Sequence, residues 1–288
     1  MRRQACFCGV EVITHCVMAN HFHVLVKVPS VAPEEVSDGE LVRRFRALYP
    51  KPTACQPMTA EVLEGILKGG GDEASSARGE LLERMHDVSV FMKELKQRFS
   101  IWYNHRHGRH GTLWSERFKS VLVEGSESAL RVVSAYVDLN PVRAGLVEDP
   151  KDYAFSGYGS ACGGDATARV CLARALGAGT DSGADVDRAL ASYRVTLYGK
   201  GSASAAGKRG RLDPASARRV MESGGELSAS ERLLCRMRAL RDGIAFGCLE
   251  FVAEAGEIWR RGRGLKRRRR PAALEGTGED GGLFALRK

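Results

Sequence analysis

The stretch Val17-Met18-Ala19-Asn20-His21-Phe22-His23-Val24-Leu25-Val26 decides how this chain begins to fold. Val10, Val12 and Val17 lie on one side of Ala19-Asn20, and Val24, Leu25, Val26 and Val28 on the other. Strand formers flanking a short polar turn predict a β-hairpin over residues 10–28. Side chains alternate across a strand, so His21 and His23 share one face while Phe22, Val24 and Val26 take the other. Two imidazoles about 6–7 Å apart along one strand face are able to share a metal ion. The spacing alone is weak, because His-x-His also arises by chance.

Outward from the hairpin, Ser37 and Glu40 form a capping-box pattern ahead of Leu41, Phe45 and Leu48, which predicts a helix over 38–49. Residues 50–78 carry Pro50, Pro52, Pro57 and the Gly69-Gly70-Gly71 run and read as an exposed loop with at most a helical turn. From 79 to 104, Leu82, Met85, Val88, Phe91, Met92, Leu95, Phe99 and Trp102 recur at three and four, the period of one long amphipathic helix. A polar loop, Asn104–Gly111, and a strand-like stretch, Leu113–Glu124, come next. Ser126 then opens a helix carrying Leu130, Val133 and Val137, halted near Pro141. Residues 159–184 and 199–212 are rich in Gly, Ala and Ser and read as linkers, with helical patterns at 186–197 and 228–260, the latter broken at Gly243 and Gly247. This gives an α+β domain over 1–160, a linker with short helices over 161–225, and a helical region with a basic tail over 226–288.

The net charge of +9 is concentrated at the end of the chain. Arg260, Arg261, Arg263, Lys266, Arg267, Arg268, Arg269 and Arg270 form a run without an acid. Removing these eight from the 44 basic residues leaves 36 against 35 acidic ones. Only the tail has the footprint of a phosphate-backbone binder, and such tails are also commonly solvated and non-specific. No apolar run of membrane-spanning length and no signal peptide is read in the sequence, so no membrane partner is expected. Of the eight cysteines only Cys6 and Cys8 are close neighbours, which is neither a zinc-finger nor a disulfide framework.

Tyr136 and Asn140 are four apart on the 127–140 helix, so a phenol and a carboxamide project together. A core aromatic beside Val133 and Val137 would have the same pattern, and Pro141 biases Asn140 away from helical geometry. His105-Arg106-His107-Gly108-Arg109-His110 contains a second His-x-His, placed in a loop that does not hold both rings on one face. Those residues read as DNA contacts or as a solvated loop. Arg117 and Lys119 alternate with Phe118 on the following strand, either lining a DNA groove or facing solvent.

Taken together, these segments resemble the HUH single-tyrosine transposases, in particular their REP-associated branch. Val17–Val26 is similar to the family's hydrophobic-Met-x-Asn-His-x-His-hydrophobic signature. Tyr136-Val-Asp-Leu-Asn140-Pro141-Val-Arg143-Ala-Gly145-Leu-Val resembles its Tyr-Ile-x-x-Asn-Pro-Val-Arg-Ala-Gly-Leu-Val segment. Asn104–Arg109, Gly111–Ser120 and Asp152–Tyr158 also match, in the same order and spacing, so the likeness covers roughly residues 9–160. It implies a ferredoxin-like antiparallel sheet with helices, followed by a small helical C-terminal region. It also implies a metal-dependent nuclease–ligase for hairpin-forming single-stranded DNA, working through a 5′-phosphotyrosine link. The residues carried over are Tyr136 as nucleophile, His21 and His23 as metal ligands and Asn140 as a third ligand. The DNA contacts expected are His105, Arg106, His107, Arg109, Arg117, Lys119, Arg143, Lys266, Arg267 and Arg268. Magnesium or manganese suits phosphoryl chemistry, and two imidazoles also tolerate zinc or nickel. Members work as dimers or, when small, as monomers, which leaves a homodimer open; the expected location is the cytoplasm, at the nucleoid. Members also carry a strand and a helix ahead of the HUH hairpin, where only residues 1–9 precede it here. The expectation from that difference is either a start further upstream or a catalytically inactive DNA-binding remnant.

Overall fold

The fold was analysed in a computed structural model that describes residues 1–31, 35–53, 56–201, 243–265, 270–273 and 283–287. It is an α+β protein that divides into two compact units, one of Met1–Val12 with Val26–Phe118, the other of Ile13–Leu25 with Lys119–Lys288. The hairpin predicted at 10–28 is present as β1 (Glu11–Val17) and β2 (Phe22–Lys27), paired in a two-stranded sheet. The Met18 N–H donates to the His21 carbonyl at 2.8 Å, which closes a two-residue Ala19-Asn20 loop.

The first unit begins with α1 (Arg2–Cys8), ended by Gly9 in the left-handed conformation. In α2 (Asp38–Leu48) the Ser37 hydroxyl accepts from the Glu40 N–H, as the capping-box pattern predicts. The expected loop over 50–78 is instead largely helical, comprising α3 (Ala60–Gly69) and the first part of α4 (Gly71–Leu82). Thr59 caps α3, and Ala60, Leu63 and Leu67 bury one stripe, so packing of that stripe overrides the Gly and Pro signals around it. The single long helix expected from 79 is also divided. His86 takes a positive φ of 54°, and the Asp87 carboxylate caps α5 (Val88–His107). α5 runs past Asn104, so His105, Arg106 and His107 form a helical turn and not a loop; Gly108, left-handed at φ 57°, ends it. Phe7, Leu41, Phe45, Leu48, Leu63 and Phe91 are among the core residues of this unit.

The expected strand over Leu113–Glu124 is mostly irregular; the second unit takes up the chain at Lys119, and only Leu122–Val123 forms a strand, β3. α6 (Glu127–Asp138) passes through Leu139 into a short α7 (Asn140–Arg143) that accommodates Pro141 in its first turn, where its missing N–H costs no helical bond. Residues 161–201, expected to be a linker with short helices, form the end of α8 (Gly157–Cys162), then α9 (Ala166–Ala175), where the composition reads as a linker, and α10 (Gly183–Gly201), which contains the helical pattern at 186–197. Their Tyr158, Leu172, Tyr193 and Leu197 bury with Ala135, Leu139 and Val142 in one core cluster. A second cluster joins Ile13 and Leu25 of the hairpin to Ala129, Val132 and Val133 of α6. Gly243 and Gly247 bound a strand, β4 (Gly243–Gly247), in place of a helix break, and α11 (Leu249–Gly262) follows. β3 and β4, with β5 (Ala272–Ala273) and β6 (Phe284–Arg287), build a four-stranded sheet of order β3-β4-β6-β5, parallel only between β3 and β4.

Candidate active site

The hairpin turn and the C-terminal half of α6 bring three of the expected residues into one ring cluster. His23 lies on β2, on the strand face that also carries the buried Leu25, and His21 sits immediately before the strand. Their ring centroids are 5.1 Å apart and nearly perpendicular. The His23 and Tyr136 rings meet edge to face at 5.8 Å. Tyr136 is half-buried, packing beside the Ile13–Leu25–Val133 cluster. Arg143 of α7 places its guanidinium carbon 4.9 Å from the Tyr136 ring centroid and donates to the Tyr136 carbonyl at 3.2 Å. Positive charge is thus held against the phenol by a backbone anchor as well as by the ring face.

The donor chemistry fits a divalent ion. One nitrogen of each ring at about 2.0–2.1 Å and a tetrahedral angle puts two imidazole centroids roughly 5 Å apart, as found here. His21 Nδ1 and Asn20 Oδ1 are 2.7 Å apart, a hydrogen bond in which the ring N–H donates and the lone pair is left on Nε2, the atom a metal would take. Asn140 uses its amide nitrogen on the Tyr136 and Val137 carbonyls at 2.9 and 3.2 Å. Its oxygen, on the other arm of the group, is the atom a hard cation takes. Among the described residues no group of three or more His, Cys, Asp and Glu that could hold a metal ion gathers.

Behind this cluster is a residue that the sequence reading passed over. Asp138, fully buried on α6, accepts from Thr14 Oγ1 of β1 at 2.8 Å and from the Tyr158 N–H of α8 at 3.1 Å through one oxygen. Its other oxygen accepts from Tyr193 Oη of α10 at 2.8 Å. Burial pushes its carboxyl up to about 6, and the three hydrogen bonds offset only part of that rise. Burial and then Asp138 raise the Tyr193 phenol well above its ordinary range. The nearby Cys16 thiol is pushed up to about 12, again by burial first. One carboxylate therefore ties the hairpin to three helices of its unit and fixes Tyr136 two residues before it. Gly157 belongs to the same joint, since a Cβ there would overlap the Thr14 side chain. The available signal was an acid between Val137 and Leu139, on the apolar side of an amphipathic helix.

The remaining predicted residues are on other segments of the chain. His105, Arg106 and His107 are in the last turn of α5, and Arg109 follows its cap, with its N–H on the Asn104 carbonyl at 2.9 Å. Arg117 and Lys119 are exposed on an irregular segment, so the expected alternation along a strand does not apply to them. Arg117 instead stacks beside the neighbouring Phe118 ring at 5.9 Å. Lys266, Arg267 and Arg268 lie outside the described residues. Among the described residues, no helix is long and apolar enough to cross a membrane. Compared with protein-family models, curated proteins and solved structures, the chain gives no match.

Proposed function

We propose that this chain is a metal-dependent DNA strand transferase of the HUH single-tyrosine kind, with Tyr136 as nucleophile. The observation that carries the proposal is the ring cluster in which His21, His23 and Tyr136 adjoin beneath Arg143. The Tyr136 oxygen attacks a backbone phosphorus in line, the bond to the 3′ oxygen breaks, and the strand is left as a 5′-phosphotyrosine and a 3′-hydroxyl. The phosphotyrosine link conserves the phosphodiester, so a second 3′-hydroxyl reverses the step and joins strands without ATP. A phenol is neutral near pH 7 in ordinary surroundings. Arg143 supplies positive charge at the face of the Tyr136 ring, which favours negative charge developing on the attacking phenol. His21 and His23, with the Asn140 oxygen as third ligand, would hold a magnesium or manganese ion, which would supply Lewis-acid polarisation of a phosphate oxygen.

The substrate is single-stranded DNA with a hairpin, contacted also by Arg143 and by the basic residues of α5. The finer fold assignment, a ferredoxin-like core, belongs to the same proposal, and its support is the β1–β2 hairpin packed with α6. So do a homodimeric state and a location at the nucleoid in the cytoplasm.

The test is a denaturing gel of the protein with labelled single-stranded hairpin DNA from its own gene's flanks, with and without Mn²⁺. We expect a protease-sensitive, metal-dependent shifted band that Tyr136→Phe removes while binding persists. Attachment surviving in Tyr136→Phe rejects the nucleophile. DNA binding without attachment or metal dependence identifies a DNA-binding remnant.

A further inference from the structure

The C-terminal half of α5 has an apolar face that its own unit does not bury. The periodic stripe buries Phe91 and Met92, yet about two and three turns later Phe99 and Trp102 are 43% and 55% exposed. The exposed rings are organised. Phe99 lies 5.6 Å from Trp102, 5.9 Å from Tyr103 and 5.7 Å from Trp114, and Tyr103 continues to His107 at 4.3 Å. The segment after the helix folds back to complete the cluster. Asn104 donates to the Gly111 carbonyl at 2.8 Å, and the Trp114 indole N–H donates to the Lys96 carbonyl at 3.1 Å. Lys96 also sets its ammonium 5.1 Å over the Trp114 ring. Scattered surface aromatics are ordinary, but a connected set fixed by hydrogen bonds at its edge is a prepared surface.

Charge selects the occupant. Leu95–Ser115 contains Lys96, Arg98, Arg106 and Arg109 and three histidines, with no aspartate or glutamate. Arg106 falls seven residues after Phe99, on the same helical stripe, so the aromatic face runs directly into exposed cationic groups. A protein partner needs only the apolar part of such a face. A single nucleic-acid strand uses both parts, through stacked bases and paired phosphates.

We infer that the Phe99–Trp102–Tyr103 face of α5 is a stacking platform for unpaired bases of single-stranded DNA, with Arg106 and Arg109 on its phosphates. The choice of DNA rests on the strand-transfer reading; the stacking does not.

The test uses the full chain carrying Tyr136→Phe, so that its outcome is independent of covalent attachment. Binding of oligothymidylate, oligouridylate and a duplex of equal length is followed by anisotropy over a range of salt. Trp102→Ala is expected to weaken oligothymidylate binding roughly ten-fold or more, with Trp102→Phe restoring most of it. Arg106→Ala is expected to reduce the slope of log affinity against log salt by about 0.7, where Trp102→Ala leaves that slope unchanged. Unchanged affinity in Trp102→Ala, or equal binding of duplex and single strand, overturns the platform. Tighter binding of oligouridylate overturns the assignment to DNA. A Trp102-dependent dimer in sedimentation, with no effect on oligonucleotide affinity, assigns the face to a second copy of the chain and overturns the inference.

Discussion

The molecule contains His-x-His twice, and the two pairs differ in what the backbone does with them. At His21 and His23 the chain is entering a strand, and the two rings come to 5.1 Å with Tyr136 alongside His23. At His105 and His107 the chain is helical, where residues two apart point to nearly opposite sides. His107 stacks on Tyr103, one turn back at 4.3 Å, as helical spacing requires. Identical spacing is thus a candidate metal site in one context and part of an aromatic surface in the other. The largest effect that sharpens this contrast is on metal affinity. His23→Ala is expected to weaken Mn²⁺ binding by more than about 100-fold, since even outer-shell partners of metal-bound histidines are worth about 10–100-fold. His107→Ala is expected to leave it unchanged. Calorimetric titration of both variants checks this, and equal losses would erase the distinction.

The strand pair has a buried frame that the helical pair lacks. Thr14, Tyr158 and Tyr193 converge on Asp138, so Asp138→Ala leaves three donors without their acceptor in a dry core. We expect a loss on the order of 3–5 kcal/mol, read by urea unfolding. The same carboxyl sets a pH dependence. Its native value near 6 stands above the ordinary 3.8, so between about pH 4 and 6 the folded chain holds a proton that the unfolded chain has released. Its contribution is therefore most favourable below about pH 4 and declines as pH rises, by roughly 3 kcal/mol by pH 7. Asp138→Asn has no such titration. The stability difference between it and the wild type should shift in its favour across that window, and a difference independent of pH would contradict the dry environment assigned to Asp138.

What could be read from the sequence follows the same physical division. The hairpin, the Ser37 cap and the placement of Tyr136 on a helix each depend on a few adjacent residues, and all three are present. The helices α3 and α9, whose sequences read as loop and linker, depend on distant partners. Leu172 of α9 buries together with Tyr158, Tyr193 and Leu197, and that burial outweighs the Gly, Ala and Ser content over 159–184 that reads as a linker. The break between α4 and α5 escaped notice because Leu82, Met85 and Val88 keep helical period across it, while the local signal is one aspartate, Asp87, acting as a cap. The role of Asp138 was hidden for a related reason. Its three partners come from residues 14, 158 and 193, and no local window contains them.

The smallest expected effect concerns the end of α5, where a single residue makes the second histidine pair helical. Gly108 caps the helix at φ 57°, a conformation that a side chain makes costly by about 1 kcal/mol or somewhat more. Gly108→Ala should therefore fray the last turn and weaken the bond from the Arg109 N–H to the Asn104 carbonyl. The measurement is amide hydrogen exchange. Protection is expected to fall several-fold at Arg109 and across the His105–His107 turn, while Met18, whose N–H closes the hairpin on His21, keeps its rate. Faster exchange at both places would mean that the two pairs share one cooperative element. Loss confined to α5 would mean that the strand pair draws its order from Asp138 and the hairpin alone.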